Sequence, residues 1–333
     1  MKLGEIGEFE LIGRIAPLFP SPADGTLGIG DDCAVLPLAG ELAQLVTTDL
    51  LIESVHFRRD WISPEDLGHK SLAVNLSDIA AMGGTPTAAF LSVGFPATLD
   101  VTWLDRFFAG IRQLADTAHC PLLGGDTTKS DGQIVINFTV IGTAAKENLK
   151  CRDGAKAGDV IAVTGFLGDS GAGLRLLQEE APKDDPHAAH LIEAHHCPHP
   201  HLAEGQWLAG HRAVHAMMDL SDGIDSDLRR IMERSQLGAA VDLDALPLSR
   251  PLQAVCASNA WPAHEIAVAG GEDYCLLCTV EADRFPALAA AFESHFEKPL
   301  YNIGAIRETC TLIYRTAGKA VDLSRHGFDH FRI

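Results

Sequence analysis

The sequence has no apolar run approaching the ~20 residues that a membrane-spanning helix requires. Its first residues, MKLGEIGEFE, are acidic and lack the apolar segment of a secretory signal peptide. Both absences argue against insertion into a membrane and against export. We therefore expect a cytoplasmic protein that makes no contact with membranes.

Positive charge is also scarce. The 333 residues include 26 Lys and Arg against 45 Asp and Glu, which gives a formal net charge of −19. A surface of this sign repels nucleic acid and anionic lipid, so neither is an expected partner. The hydrophobic fraction of 47% is that of a globular protein, and the length suits one large domain or two ordinary ones.

The 8 cysteines are scattered and do not form a disulfide framework, which predicts free thiols. Cys275 and Cys278 have the spacing of a metal or redox pair, but they lie in a strand-like run that would turn them to opposite faces. The HHCPHPH segment (His195 to His201) contains two prolines, which predicts an irregular connector before a helix. Adventitious metal binding by this segment stays open as an alternative.

The common glycine-rich phosphate motifs are missing as well. Neither G-x-x-x-x-G-K-[ST] nor a G-x-G-x-x-G that opens a strand–helix unit occurs, and GIGDD is too short and too acidic to replace them. If the protein binds a phosphate, metal ions must therefore neutralise much of its charge. A few glycine amides and a lone Arg or Lys would assist.

What the sequence has in abundance is acidic residues beside apolar segments, in GIGDDCAVL, VTTDLL, NLSDIAAMGG, LGGDTT, MDLSDGIDSDL and AGGEDY. Converging carboxylates repel one another unless a cation compensates them. Oxygen ligands favour Mg²⁺, Mn²⁺ or Ca²⁺ over zinc, and the hydroxyls of Thr47 and Thr48 suit the same shell. Each motif alone is more typical of a turn or a helix cap than of a metal site. The whole set indicates Mg²⁺-dependent phosphate chemistry.

Strand-like and helical segments are mixed along the whole chain, which predicts an α/β or α+β fold. One helix should begin after Ser63, with Ser63 as its N-cap and Pro64 in its first turn, and it should end at Gly83 and Gly84. The polar, glycine-bearing stretch 146–159 contains few large apolar residues. We place a domain boundary there, which gives domains of residues 1–148 and 149–333.

Nearly the whole chain resembles the thiamine-monophosphate kinases, in the superfamily of aminoimidazole ribonucleotide synthetase. The shared motifs, in chain order, are GEFELI, GIGDDCAVL, TTDLLIESVHF, KSLAVNLSDIAAMGG, LGGDTT, RDGAKAGDVIAVTGFLGDSGAGL, MDLSDGIDSDL, AGGEDYCLL and GFDHF. The VHF, GGEDY and GFDHF motifs are specific to the thiamine kinases. The wider superfamily shares mainly the aspartates.

The resemblance implies that the protein uses ATP to phosphorylate thiamine monophosphate to thiamine diphosphate. It also implies an N-terminal α/β domain whose sheet pairs with its twin in a homodimer, and a C-terminal α/β sandwich. ATP and several Mg²⁺ ions would lie between the two domains. Transfer would be direct and in-line without a general base, because the phosphate nucleophile is already ionised near neutral pH.

The same resemblance implies roles for individual residues. The implied metal ligands are Asp31, Thr47, Thr48, Asp49, Asp78, Asp126, Asp219 and Asp222. The implied nucleotide contacts are Gly125, Asp126, Arg152 and Ser221, and the implied contacts to thiamine phosphate are His56, Glu272 and Phe328. Without the resemblance, Arg152 would be interpreted as a solvated loop residue and Phe328 as a packing aromatic.

The chain departs from the family pattern in three places. Ser54 stands where glycine is usual, Cys275 stands where an acidic residue is common, and HHCPHPH replaces a stretch that usually ends in arginine. Two alternative functions stay open. One is another ATP-using member of the superfamily, although MKLGEIGEFE lacks the reactive cysteine of selenophosphate synthetases and FDHFRI lacks the cysteine of hydrogenase-maturation dehydratases. The other is a non-catalytic protein that binds Mg²⁺ or nucleotide.

Overall fold

Two β-sheets, one in each half of the chain, organise the fold in the computed structural model, which describes residues 3–180 and 185–323. The first sheet contains β1 (Ala34–Pro37), β2 (Leu42–Ile52), β3 (Thr85–Phe95), β4 (Leu122–Lys129) and β5 (Val135–Ala145). Its strand order is β1-β2-β5-β3-β4. Strands β3 and β4 run parallel, and the other neighbours run antiparallel.

One face of the first sheet is covered by helices. Every second residue of β5 is buried, as expected for a strand with one covered face. The helices of this half are α1 (Leu3–Ile15, interrupted at Gly7), α2 (Pro64–Ala81) and α3 (Val101–Thr117). Helices α2 and α3 pack against each other, and α2 lies directly on β2 and β5.

Helix α2 is the element that joins the two halves. It begins as predicted, because the Ser63 hydroxyl accepts from the Asp66 N–H at 3.1 Å. Its other side packs against α6 and β7 of the second half. Gly205 permits this approach, since a Cβ atom there would lie 2.2 Å from the Ala80 carbonyl oxygen. Side chains of α2 can therefore take part in a site formed by both halves.

The second half contains a seven-stranded sheet of order β12-β11-β8-β10-β6-β9-β7. Its strands are β6 (Val160–Val163), β7 (Val214–Asp219), β8 (Gly238–Asp242), β9 (Leu276–Val280), β10 (Tyr301–Arg307), β11 (Leu312–Thr316) and β12 (Lys319–Val321). Its helices are α4 (Asp169–Gln178), α5 (Pro186–His196), α6 (Leu202–Ala209), α7 (Ile224–Ser235), α8 (Arg250–Asn259), α9 (Ala263–Ala269) and α10 (Phe285–Phe296). Strands β8 and β11 are parallel, and the other paired strands are antiparallel.

The predicted α/β class is confirmed, and the predicted boundary at residue 148 falls between β5 and β6. Strands β4, β7 and β12 and helices α5, α8 and α9 were not predicted. The expectation that HHCPHPH is wholly irregular is wrong, because His195 and His196 form the last turn of α5. In the described ranges, no helix is long and apolar enough to cross a membrane.

Candidate active site

Three aspartates from separate elements converge between the two halves of the molecule. Asp32 precedes β1, Asp78 lies near the end of α2, and Asp219 is the last residue of β7. Each offers one carboxylate oxygen, and these three oxygens lie within 4.8 Å of one another. We call Asp32, Asp78 and Asp219 the acidic centre. Its oxygen-only donors are those that hard divalent cations prefer.

Hydrogen bonds from neighbouring side chains orient the acidic centre. The Thr47 hydroxyl on β2 donates to Asp78 Oδ2. The Ser77 hydroxyl donates to Asp219 Oδ2 at 2.6 Å, which connects α2 to β7. Beside them, the Asp49 N–H donates to Asn75 Oδ1 at 3.1 Å. Two carboxylates of the acidic centre therefore have fixed orientations before any ion or ligand binds.

The electrostatics of this region are unfavourable without a cation. Burial, and then the charges of Asp49, Asp219 and Asp32, raise the pKa of Asp78 well above its usual value. Burial and Asp32 raise the pKa of Asp219 to about 8, and the same two causes raise the pKa of Asp49 to about 6. Carboxylates that repel one another in a buried place are stabilised when a cation binds between them.

The positive charge of Arg152 offsets part of the negative charge of these aspartates. Its guanidinium pairs with Asp32 Oδ1, and its backbone N–H donates to Asp31 Oδ1 at 3.1 Å. Burial, and then the charge of Asp32, raise the pKa of Asp31 to about 7. Within the described residues, the buried Asp32 Oδ2 and Arg152 Nε have no hydrogen-bond partner. An orphaned carboxylate oxygen at the acidic centre fits a metal ligand, and an orphaned guanidinium N–H fits a phosphate contact.

A cavity of about 1010 Å³ opens beside the acidic centre. Among its lining residues are Thr48, Asp49, His56, Ser221, Asp222, Glu272 and Tyr274. Burial, and then the charges of Glu272 and Asp49, raise the pKa of Tyr274 well above its usual value. Tyr274 therefore lies within the electrostatic influence of both Glu272 and Asp49.

Glu272 is held by two residues from other elements. Lys70 Nζ on α2 lies 3.0 Å from Glu272 Oε2, and His195 Nδ1 on α5 lies 3.1 Å from the same oxygen. Burial opposes ionisation of Glu272, but Lys70 and His195 hold its pKa below the usual value. His56 also lines the cavity, and its Nδ1 accepts from the Ile52 N–H at 3.0 Å. Since Nδ1 is the acceptor, the ring proton of the neutral imidazole is on Nε2.

Several other residues predicted for the site do not belong to the acidic centre. Thr48 faces the opposite side of β2 from Thr47, and its hydroxyl donates to the Phe138 carbonyl at 2.9 Å. Gly125 and Asp126 lie on the exposed edge strand β4, and no contact of the described residues joins Asp126 to the acidic centre. The Asp222 N–H donates to Asp227 Oδ2 at 3.1 Å. Phe328 lies outside the described residues.

Three residues of the site were not assigned a role from the sequence. Asp32 is adjacent to the predicted ligand Asp31, but the spacing of the pair does not show which carboxylate meets Asp78 and Asp219. Lys70 had a signal, because a lysine that precedes the apolar run 72–74 of a helix must find a partner when that part of the helix is buried. His195 had no such signal beyond its place in HHCPHPH.

Ser54, where the family usually has glycine, takes a left-handed backbone with φ of 68°.

Comparison with known proteins relates the chain to one enzyme family in both sequence and fold. Residues 30–144 match the family model "AIR synthase related protein, N-terminal domain", and residues 156–315 match the model of the corresponding C-terminal domain. The chain is 37% identical over 332 residues to the thiamine-monophosphate kinase of Haemophilus influenzae, with 98% of each chain covered. It is 38% identical over 330 residues to that of Escherichia coli K12, again with 98% of each covered. The solved structure of AaThiL complexed with AMPPCP and TMP superposes with a TM-score of 0.87 at 33% identity, and 99% of each chain is covered.

Proposed function

The chain belongs to the thiamine-monophosphate kinases of the AIR synthase-related family, and from this premise we propose how its residues transfer the terminal phosphoryl group of ATP to thiamine monophosphate. The product is thiamine diphosphate. The observation that carries the proposal is the meeting of Asp32, Asp78 and Asp219 beside a cavity whose lining includes Asp49 and Glu272. An acidic centre next to a substrate-sized cavity is the arrangement that metal-assisted phosphoryl transfer requires.

The acidic centre fits Mg²⁺. Its donors are all oxygens, burial and neighbouring carboxylates raise the pKa values of Asp78 and Asp219, and Asp32 Oδ2 is buried without a hydrogen-bond partner in the described ranges. We assign the acidic centre and Asp49 as the residues that hold Mg²⁺. The resemblance adds Asp31, Thr47, Thr48, Asp126 and Asp222 to the proposed ligands. Bound Mg²⁺ supplies positive charge that offsets the phosphate oxygens of ATP.

Glycine, serine and arginine residues would bind the phosphates of ATP. Gly125 has a φ of 148°, and a Cβ atom there would lie 1.7 Å from the Leu91 carbonyl oxygen. Only glycine fits this position, because the backbone of β3 occupies the place of a side chain. The assignment of Gly125 to the nucleotide site rests on the resemblance. Arg152 presents its unpartnered Nε, and Ser221 lines the cavity. With Asp126, these residues would orient the triphosphate toward the second substrate.

The part of the cavity lined by His56 and Glu272 would bind thiamine monophosphate. His56 offers an N–H at Nε2, Glu272 offers a carboxylate oxygen, and the resemblance adds Phe328 as a stacking aromatic. The protein's part in the reaction is to hold a substrate phosphate oxygen in line with the γ-phosphorus of ATP. That oxygen is already ionised near neutral pH, so no residue acts as a general base and no phosphoenzyme forms.

We also propose a homodimer formed through the first sheet. The face of this sheet that helices α2 and α3 leave uncovered includes the exposed side chains of Leu42, Leu50 and Phe90. Exposed apolar residues on one sheet face are typical of a protein interface. A second copy of the sheet is the partner that the resemblance implies. Light scattering should then give twice the mass of one chain.

Incubation of the protein with ATP, Mg²⁺ and thiamine monophosphate, followed by mass spectrometry, tests the function directly. Thiamine diphosphate and ADP should appear in equal amounts, and EDTA should stop the reaction. Turnover in EDTA would refute the role of the metal. Another member of the superfamily would leave thiamine monophosphate unchanged while using a different acceptor. A non-catalytic protein would show a Mg²⁺-dependent thermal shift without release of ADP.

A further inference from the structure

Lys70 is a buried lysine whose contacts have no place in the metal chemistry. Its side chain is 1% exposed, and Nζ donates to the His195 carbonyl oxygen at 2.9 Å and to Glu272 Oε2 at 3.0 Å. A buried ammonium group is strongly unfavourable unless it is paired and hydrogen-bonded. Because its carboxylate partner lines the cavity, the position of Lys70 bears directly on the substrate site.

His195 contacts the same oxygen of Glu272. Its Nδ1 lies 3.1 Å from Glu272 Oε2 and 3.0 Å from the Ser170 hydroxyl oxygen. Burial, and then the charge of Lys70, lower the pKa of His195 to about 3, so the imidazole is neutral at physiological pH. The hydrogen-bond partner of Nδ1 is the Ser170 hydroxyl, and Glu272 Oε2 lies beside it as an electrostatic contact. Because an unprotonated ring nitrogen would repel the carboxylate, this contact favours the tautomer that carries its proton on Nδ1.

The backbone of Glu272 restricts the residue further. Its φ is 64°, in the left-handed region, and its N–H donates to the Ser221 carbonyl at 2.7 Å. Both side-chain contacts go to Oε2, and among residues 3–180 and 185–323 no hydrogen bond reaches Oε1. The side chain is 26% exposed and lines the cavity, so Oε1 is the oxygen left for a ligand.

The charges indicate what kind of ligand group Oε1 accepts. The Lys70 ammonium already offsets the negative charge of Glu272, so little net charge remains to attract a cation. What remains is a fixed hydrogen-bond acceptor, which suits an N–H donor. In the organic part of thiamine monophosphate, the N–H donors belong to the amino group of the aminopyrimidine ring.

We propose that Lys70 and His195 are positioning residues that fix Glu272 through Oε2, so that Oε1 accepts a hydrogen bond from the amino group of the substrate. This deepens the proposed function and rests on it. Site groups that are oriented before binding discriminate strongly against analogues that lack the matching donor. Lys70 and His195 should therefore determine selectivity for the aminopyrimidine, without a role in ATP binding.

Steady-state kinetics with thiamine monophosphate and oxythiamine monophosphate, in which an oxo group replaces the amino group, test this proposal. Lys70→Met should raise the KM for thiamine monophosphate by about tenfold or more, as expected for a lost hydrogen bond to a charged group. The KM for ATP should change by less than about twofold, since the hydrogen bonds of Lys70 go to His195 and Glu272 and not to the residues proposed to bind ATP. The preference for thiamine monophosphate over the oxo analogue should fall toward unity.

Two further comparisons separate positioning from a general structural effect. Adding Lys70→Met to Glu272→Gln should cause no further loss, because Lys70 acts through Glu272. Asparagine places an N–H near the position of histidine Nδ1, so His195→Asn should recover much of the selectivity that His195→Leu loses. Lys298→Met is the matched control, since Lys298 pairs with Glu204 at 2.5 Å and does not line this cavity.

The outcomes distinguish this inference from the proposed function. Wild-type protein that leaves thiamine monophosphate unphosphorylated would refute the function itself. Active wild-type protein with unchanged selectivity in Lys70→Met, or with additive losses in the double variant, would overturn the positioning role alone. If Lys70→Met does not fold, the comparison of His195→Asn with His195→Leu tests the proposal instead. Equal selectivity of these two variants would overturn the positioning role.

Discussion

The Ser77 hydroxyl on α2 donates to Asp219 Oδ2 at the end of β7, and the two oxygens are 2.6 Å apart. The two residues are 142 positions apart in the sequence and belong to different halves of the chain. The hydrogen bond therefore links the halves of the molecule at the acidic centre itself. It orients a carboxylate and joins two domains at the same time.

Ser77→Ala should weaken this link. The substitution leaves the buried Asp219 Oδ2 without this donor, which should lower the free energy of unfolding by about 1–3 kcal/mol. Urea unfolding in EDTA measures the change without a contribution from bound metal. Ser130→Ala serves as the control, because that exposed hydroxyl donates to the Gln133 carbonyl in a loop and its loss should stay within about 0.5 kcal/mol. Equal stability of the two variants would contradict the role of Ser77.

Asp78→Asn should separate stability from activity. The amide keeps an oxygen that accepts from Thr47, but it removes a negative charge that Asp49, Asp219 and Asp32 repel. We expect turnover to fall by at least about 100-fold, while the thermal midpoint in EDTA does not decrease. The rise in midpoint that Mg²⁺ causes in the wild type should disappear. Asp116→Asn on the exposed end of α3 is the control and should leave turnover unchanged. Normal turnover of Asp78→Asn would refute the catalytic role of the acidic centre.

Two adjacent glycines on β4 give a matched test of backbone geometry. A Cβ atom on Gly125 would lie 1.7 Å from the Leu91 carbonyl oxygen, whereas one on Gly124 would lie 3.6 Å from Phe90 Cδ1. Gly125→Ala should therefore destabilise the protein by more than about 2 kcal/mol or raise the KM for ATP, since β4 must move. Gly124→Ala should change stability by less than about 1 kcal/mol. Thermal unfolding and ATP kinetics of both variants measure the difference. Identical behaviour of Gly125→Ala and Gly124→Ala would contradict the close approach of Gly125 to the Leu91 carbonyl.

His201 should make the protein sensitive to acid. Its Nδ1 lies 2.9 Å from the Thr164 hydroxyl oxygen, and burial, followed by the charge of Lys298, lowers its pKa to about 3. Between the unfolded value of ~6.5 and about 3, the unfolded chain binds a proton that the folded protein does not. Stability should thus be highest above that range and fall as the pH decreases, by up to about 1.4 kcal/mol per pH unit from this residue.

His201→Asn should remove that contribution. The slope of unfolding free energy against pH should become shallower than in the wild type between about pH 6.5 and pH 5. Denaturant unfolding at several pH values measures both slopes. A variant slope equal to that of the wild type would show that His201 does not resist protonation in the folded state.

Much of the fold follows from local patterns. Ser63 and Pro64 predict the start of α2, and the structure confirms Ser63 as the cap. Strand β4 was missed because LLGGDTTK has two glycines and an aspartate, and it becomes a strand only by pairing with β3. Helix α5 was missed because its histidine-rich end resembles a loop. Its burial against α4 and α8 is a tertiary effect.

The sequence by itself determined the family, the mixed α/β class and the acidic character of the site, because residue type and order along the chain carry that information. The tertiary structure decided which carboxylates meet. Only packing of α2 between the two sheets brings Asp78 to Asp32 and Asp219, and Lys70 to Glu272. These pairs are distant in sequence, and their separations depend on how two domains pack rather than on any local spacing.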